Sequence, residues 1–504
     1  MKKQLCRILV AFTIIALHES LQAQETQTSS TQNVSTHIAA PVPGELEKLL
    51  ASRPRIDKAL SLDEAVEIAL RESPVIRGAQ AEVQIAEAQL RAARAERRPQ
   101  LSLNGFLSDG NQNTIVESAP GVMPSMTMAL PPNRFADLNV MGMLPLYTGG
   151  RLEAMTRRAA SLRNAAQNEV EAQRQEVALL TRTAYREVLA RRALVDVARE
   201  QLKENEEQLR IDRVRAEEGK IPPFYVLRDE AEVAATQQML TDAERDVELS
   251  LVQLKTVMGV HPQSSLELST AATENDWLAS LLRDESSTQN PSSTQQTDTV
   301  PATPPLEAAP LTLQSTEALS SLLRAAEARR PELRAATSRI EAGQSEVRAA
   351  RSAYRPQVNA FVAGDIMKMQ GMRAQNGATY GIVASIPLFD GGARRAGVQS
   401  AQAEIARQQQ ERERVALQIA QEVSNALLNA RSGERNIATA EAALKSARED
   451  YRLARVRYEA GRSTLVEVLD ALAARTRAES NAVQAQYNFA IARDTLRRAV
   501  GERQ

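Results

Sequence analysis

Glu467 and Asp470 stand three residues apart, a spacing that puts both carboxylates on one face of a helix, where they could attract cations. A solvated helix surface is the plainer use of such a pair. Little else in the chain has the spacing of a reactive site. His18, His37 and His261 are scattered, and no metal-ligand pattern, phosphate loop or nucleophile–base arrangement accompanies them. Gly149-Gly150 and Gly391-Gly392 each precede a helix-forming run but lack the other residues of a phosphate loop, so they read as strand-to-helix bends. Cys6 is the only cysteine and lies at the extreme N-terminus, which leaves no disulfide and no thiolate metal site. No catalytic, cofactor or metal site is expected, and an enzyme is disfavoured.

The elements that must position these residues are long. Arg151 to Glu218 contains neither Gly nor Pro and is dominated by Ala, Leu, Gln, Glu and Arg, the strong helix formers. Read as one helix, it extends roughly 100 Å at 1.5 Å per residue. Ala393 to Ala460 has the same length, no Pro, and only Gly397 and Gly433. Val188, Val195, Leu202 and Leu209 recur every seven residues in the first rod. In the second, Ile437, Ala440, Leu444, Ala447, Tyr451, Ala454 and Tyr458 step by three and four, as in a coiled coil. Gly219 and Gly461 suit helix-ending turns, after which return helices are expected over 224–258 and 465–500.

The totals agree with slender helices better than with a bulky core. Aromatic residues make up 3% of the 504, and the formal net charge is −1, which implies no nucleic-acid partner. Lys2, Lys3 and Arg7, the apolar run from Ile8 to Leu17, and Leu21-Gln22-Ala23 together read as an export signal over 1–23. Residues 24–58 are expected to be disordered or loosely packed, and 260–318 to form a linker whose 270–312 stretch is rich in Ser, Thr, Gln and Pro. Two repeats remain, 59–259 and 319–501. Pro74, Arg98, Pro99 and Gln100 match Pro331, Arg355, Pro356 and Gln357 at an offset of 257. Beyond a longer first loop the offset becomes 242, pairing Pro145, Gly149, Gly150, Gly219 and Gly259 with Pro387, Gly391, Gly392, Gly461 and Gly501.

Each repeat carries a period-two segment ahead of its rod. Val358, Ala360, Val362, Gly364 and Ile366 alternate, as do Tyr380, Ile382, Ala384, Ile386 and Leu388; polar or small residues take the other face. The first repeat has hairpin strands within 100–147, starting with Leu101, Leu103 and Phe106, and the second within 357–389. This is the pattern of strands that see lipid on one side and water on the other. Four strands cannot close, and an open edge is not tolerated in hydrocarbon, so several copies must complete the wall.

Leu60-Ser61-Leu62-Asp63-Glu64-Ala65-Val66-Glu67-Ile68-Ala69-Leu70, Ser73-Pro74, Arg98-Pro99-Gln100, Leu144-Pro145-Leu146-Tyr147-Thr148-Gly149-Gly150 and Ile386-Pro387-Leu388-Phe389-Asp390-Gly391-Gly392 resemble the TolC-like outer-membrane efflux family. So does Arg457-Tyr458-Glu459-Ala460-Gly461 followed by Val468-Leu469-Asp470. The resemblance implies a mainly α-helical chain with a membrane β portion. It implies a homotrimer with a twelve-stranded outer-membrane barrel, continued by a long periplasmic α-helical barrel. It also implies a passive exit duct in a tripartite efflux pump or type I secretion system, with a periplasmic adaptor protein and an inner-membrane transporter as partners and outer-membrane lipid around the barrel. An adaptor-like periplasmic coiled-coil protein without a barrel is the alternative.

By position the resemblance makes Glu467 and Asp470 an acidic ring at the periplasmic aperture, six carboxylates in three chains. It makes Tyr458 part of what holds that aperture closed, although Phe224 and Tyr225 stand where charged partners are expected. Gly219, Lys220, Gly461 and Arg462 mark the helix tips where an adaptor docks. Tyr147 and Phe389, at equivalent strand ends, are expected in an aromatic girdle at the membrane interface. Pro145, Gly149, Gly150, Pro387, Gly391 and Gly392 form the bends.

Overall fold

The computed structural model describes residues 44–108, 135–269, 316–369 and 374–502. The expected signal segment, the residues up to 43, the 111–133 loop, the 270–312 stretch and part of the Gly371–Gly377 connection lie outside them. The chain divides into two units, 1–55 and 56–504. Helix α1 (Glu45–Ala51) is the described element of the first unit, and all other elements belong to the second.

Repeat one begins with the short strand β1 (Ala59–Leu60) and the helices α2 (Leu62–Glu72) and α3 (Pro74–Ala95). The Ser61 hydroxyl accepts from the Glu64 amide while the Glu64 carboxylate accepts from the Ser61 amide, a reciprocal cap that starts α2. Pro74 separates the helices because the residue before a proline is pushed out of the α region. Strands β2 (Gln100–Ser108) and β3 (Phe135–Tyr147) lead into the 67-residue α4 (Arg151–Glu217), and α5 (Phe224–Met258) returns. After β4 (Glu267–Leu268) the plan recurs: α6 (Thr316–Arg329), α7 (Pro331–Ser352), β5 (Gln357–Met369), β6 (Gln375–Ser385), the 67-residue α8 (Ala393–Glu459) and α9 (Leu465–Val500).

The two hairpins form one sheet in the order β2-β3-β5-β6, with every neighbouring pair antiparallel. Repeats one and two therefore join through β3 and β5, and β2 and β6 are left as edges. A separate parallel pair, β1 with β4, is fixed by Tyr185, whose Oη lies 2.8 Å from the Leu60 carbonyl and 2.7 Å from that of Ser269.

Corresponding regions of the two repeats carry the helical cores. Val177, Val188, Leu254 and Met258 pack with Leu60 and Ile76 in repeat one, and Ile419, Val423, Leu496 and Val500 pack with Leu322 and Leu333 in repeat two. The heptad residues Val188, Val195, Leu202 and Leu209 are all buried, as the spacing predicts. Many other buried positions are alanines, which let helix axes approach closely. Arg330 is almost fully buried between these layers, held by Glu332, Glu422 and the carbonyls of Arg498 and Ala499. Fixed partners on every side offset the cost of removing its charge from water.

Candidate functional site

Register assigns each strand residue to a face, because directly opposed residues project from the same side of a sheet. Leu101 opposes Gly142, Leu103 opposes Val140 and Leu107 opposes Ala136. Leu138, Val140, Gly142 and Leu144 in turn oppose Ile366, Gly364, Val362 and Ala360. Val362, Ala360 and Val358 oppose Tyr380, Ile382 and Ala384. One face is thus apolar across all four strands until Lys368 and Asn376 at its end. The opposite face carries the polar residues, Ser102, Asn104, Asp137, Asn139, Asn359, Asp365, Thr379 and Ser385, interspersed with Phe106, Met141, Met143, Phe361, Met367 and Val383.

A sheet with this distribution suits a different solvent on each side, oil on one and water on the other. Phe106 departs from its expected place. It opposes Asp137 and so lies on the polar face, whereas the apolar face runs from Leu103 through Gly105 to Leu107. Alternation continues straight through the glycine, which only removes a side chain from the pattern.

A bulge between Pro145 and Tyr147 re-aims the last residues of β3, so that Tyr147 opposes Val358 on the apolar side. Gly149 (φ 63°) and Gly150 (φ 90°) then turn the chain into α4, and Gly391 (φ 63°) and Gly392 (φ 95°) turn it into α8. Both pairs use left-handed backbone that other residues rarely adopt. Thr148 Oγ1 accepts from the Leu152 amide, and Asp390 accepts from the amides of Gly392 and Arg394, closing the helix N-termini. The Arg394 side chain, and then its amide, hold the Asp390 carboxyl below its ordinary range. Pro145 ends regular pairing with β5, while Pro387 lies beyond β6 and its carbonyl accepts from Arg394. Tyr147 closes β3, but β6 stops at Ser385, so Phe389 lies past its strand and is 91% exposed. The two strand ends are therefore not equivalent within one chain.

At the far end of the rods, Gly219 (φ 68°) and Gly461 (φ 69°) end α4 and α8. In each, the following amide reaches back five residues, Lys220 to the Arg215 carbonyl and Arg462 to that of Arg457, both at 2.8 Å. Lys220 pairs with Glu218 at 2.6 Å. Thr464 caps α9 by accepting from the Glu467 amide, and Ser463 donates to the Glu467 carboxylate at 2.7 Å. The Ser463 hydrogen bond holds Glu467 below the usual carboxyl range, so it stays ionised near neutral pH. Glu467 and Asp470 are both exposed, three residues apart in the first turns of α9.

Tyr458 corrects the sequence expectation about its partners. Its hydroxyl donates to Asp212 Oδ2 at 2.9 Å, and the Arg215 guanidinium lies 5.2 Å from its ring centre. Polar partners from repeat one are present after all, supplied by the end of α4; Tyr225 packs beside the same cluster through its ring. Asp212 is fully buried, also accepts from Gln208, and shares its pocket with the buried Asp229. Burial first, and the Asp212 charge second, push the Asp229 carboxyl up to about 7. About one heptad further from the tip, Glu204 of α4 binds Tyr451 (2.9 Å), Arg475 (3.3 Å) and Arg455 (3.5 Å). Asp212, Asp229 and Glu204 escaped sequence reading because acidic residues on an exposed-looking helix give no sign of a partner 246 residues away.

Comparison with known proteins agrees with this geometry. The family model described as outer membrane efflux protein matches residues 65–260 and 322–502. Among solved structures, CusC aligns at 18% identity and a TM-score of 0.68, covering 89% of this chain and 93% of its own. VceC of Vibrio cholerae aligns at 19% and 0.64, covering 88% and 96%. The MtrE channel of Neisseria gonorrhoeae, solved in an open state, aligns at 19% and 0.63, covering 88% and 89%. No curated protein sequence matches. The matched family segments span both repeats, from the first helices through the rods to the return helices, and the chain belongs to the outer membrane efflux protein family.

Proposed function

We propose that three copies of this chain close a twelve-stranded barrel in the outer membrane and continue as a helical tube into the periplasm. The duct is passive and serves as the exit of a tripartite efflux pump or type I secretion system. One observation carries this reading: a four-stranded sheet with one apolar face, one polar face and two open edges per chain. Such edges are stable in hydrocarbon only when neighbouring copies pair them. Eight strands leave an interior filled by side chains, so a water-filled lumen needs more than two copies. Tyr147 and Phe389 then lie in the interfacial girdle, and Glu467 and Asp470 of three chains ring the periplasmic entrance with six carboxylates. The pair favours cations there. Purified protein is expected to run as a detergent-stable trimer and to give cation-selective conductance in planar bilayers. A folded monomer without affinity for bilayers would overturn the reading.

The tips at Gly219-Lys220 and Gly461-Arg462 are the surface offered to a periplasmic adaptor protein, which links the duct to an inner-membrane transporter. An added Cβ at either glycine meets nothing within 4 Å, so the fold tolerates bulk there apart from the strain of positive φ, about 1–2 kcal/mol. Gly219→Phe and Gly461→Phe are expected to leave the trimer and its conductance intact while weakening adaptor co-purification roughly tenfold, a loss of about 1.4 kcal/mol. Unchanged adaptor association in both variants would remove the tips from that role.

A further inference from the structure

Charge is spread unevenly along the chain, and the strand ends mark where it gathers. Four segments of eleven residues adjoin the strands on the side of the rods: 89–99 before β2, 148–158 after β3, 346–356 before β5 and 386–396 after β6. Together they hold twelve arginines, no lysine and four acidic residues, a net charge of +8 in a chain whose total is −1. The segments that join the strands on the other side, 109–134 and 370–374, carry Arg134 and Arg373 against Asp109 and Glu117, and so have no net charge.

Helix stability accounts for only part of this. Arginine suits the last turns of α3 and α7, beside the negative end of the helix dipole. The first turns of α4 and α8 favour acids instead, yet α8 opens Ala393-Arg394-Arg395 with no acidic residue in its first turn, and Arg151 opens α4. In the rods, arginines repeatedly come with a carboxylate three residues earlier. Glu207 holds Arg210, Glu404 holds Arg407, Glu411 holds Arg414 and Glu449 holds Arg452, each at 2.6 or 2.7 Å. Near the strands some side chains are engaged: Arg394 by Asp390 and the Pro387 carbonyl, Arg355 by the Gly149 carbonyl, Arg158 by Glu346. Arg94, Arg97, Arg98, Arg157, Arg351 and Arg395 are exposed, and none has a side-chain hydrogen bond or carboxylate partner among the described residues.

The strands set the height of these side chains. Arg98 and Arg97 stand two and three residues before β2, about 7–10 Å along an extended chain. Arg395 is the third residue of α8, and Arg157 is the seventh of α4, about 9 Å along the helix. A bilayer's headgroup layer adds about 5–8 Å to the hydrocarbon on each side, and long arginine stems carry their charge to it. Tyr147 precedes Arg151 by four residues and Phe389 precedes Arg394 by five, so ring and then charge follow the apolar face. We infer that the arginines at the strand ends form a collar that binds the phosphodiester groups of anionic phospholipids in the periplasmic leaflet. This rests on the barrel proposed above, whose apolar face sets the lipid boundary. A guanidinium is a planar fork that takes two phosphate oxygens at once, which an ammonium group does not, and the four segments use arginine alone. Three copies triple the charge around one ring, a field that an anionic surface offsets. The collar fixes the depth of the barrel, with hydrocarbon at the apolar face and phosphates at its rod-side rim.

Delipidated protein in nonionic detergent, titrated with acyl-labelled phosphatidylglycerol or phosphatidylcholine and read by fluorescence anisotropy, tests the collar. Phosphatidylglycerol is expected to bind roughly tenfold or more tightly at low salt. The preference is expected to fade in 1 M NaCl, where charges are screened beyond about 3 Å. Arg97→Gln/Arg98→Gln/Arg395→Gln is expected to lose most of it, while Arg407→Gln/Arg414→Gln/Arg452→Gln, an equal loss of charge on the rods, keeps it. Equal affinity of the parental protein for the two lipids, or equal loss in the two variants, overturns the collar. Inorganic phosphate at the concentration of the lipid is expected not to compete; displacement by it would make this a site for free phosphate and overturn the lipid reading. Melting of the lipid-free assembly separates a role between copies. The collar variant is expected to match the parental value, and a lower one would assign these arginines to a neighbouring copy instead of lipid. Protein that inserts into phosphatidylcholine vesicles and conducts, with no preference for phosphatidylglycerol, overturns the collar and leaves the duct. Protein that enters neither kind of vesicle overturns both.

Discussion

Val140→Arg is expected to abolish accumulation of assembled trimer in outer-membrane fractions, whereas Asn139→Arg, one residue away, leaves it near the parental level. Val140 opposes Leu103 and Gly364 on the apolar face, well inside the 13-residue β3. A guanidinium there must enter hydrocarbon, at about 2–4 kcal/mol near the bilayer midplane, and it does so in each of three copies. Asn139 opposes Asn104 and Asp365 on the polar face, so an arginine there meets water and a carboxylate. Heat-modified gel mobility of membrane fractions and urea titration of folding into vesicles read the difference directly. Equal behaviour of the two variants would mean that the apolar face does not meet lipid, and with it the barrel reading would fall.

The same alternation shows why some of the fold was legible and some was not. The rods could be read because composition, the absence of Pro and the scarcity of Gly agree over 67 residues, with heptad spacing added toward the tips. Strands β5 and β6 carry an uninterrupted alternation, whereas in β2 the glycine at 105 hid the true phase and drew Phe106 onto the wrong face. The pairing of β3 with β5 joins residues more than 200 positions apart, and no local pattern encodes it. At the tip, position gave Tyr458 as a residue of interest but not its acceptor. Asp212 follows the buried polar residues Gln201, Asn205 and Gln208 on the same stretch of α4, so no break in an apolar pattern marked it.

Asp229→Asn is expected to flatten the pH dependence of stability between about pH 4 and pH 7 and to raise melting above the parental value at pH 8. The Asp229 carboxyl titrates near 7 in the folded chain against an ordinary value of 3.8, because burial and the neighbouring Asp212 carboxylate disfavour its charge. Folded protein therefore binds this proton more tightly than unfolded chain, and the linked stability is fully present below about pH 4 and lost as pH rises through 7. Asparagine keeps the shape, carries no charge at any pH and removes that loss. Each 1 kcal/mol recovered corresponds to about 2–4 °C or less in a chain of this size, and the gain disappears at pH 4. The groups facing the pair set the sign: Arg228 opposes the shift, Glu232 adds to it, and Arg215 stands 3.8 Å from Asp212. Asp212→Asn removes one cause of the shift and moves the remaining slope to lower pH. Because Asp212 also accepts from Tyr458, charge on Asp229 is expected to loosen the contact between α4 and α8 near their tips, at the proposed entrance. Conductance of the reconstituted parental channel is expected to rise from pH 6 to pH 8, and that of Asp229→Asn to stay level. Parallel pH profiles for the two proteins, in melting and in conductance alike, would show that the buried pair carries no titrating proton in this range.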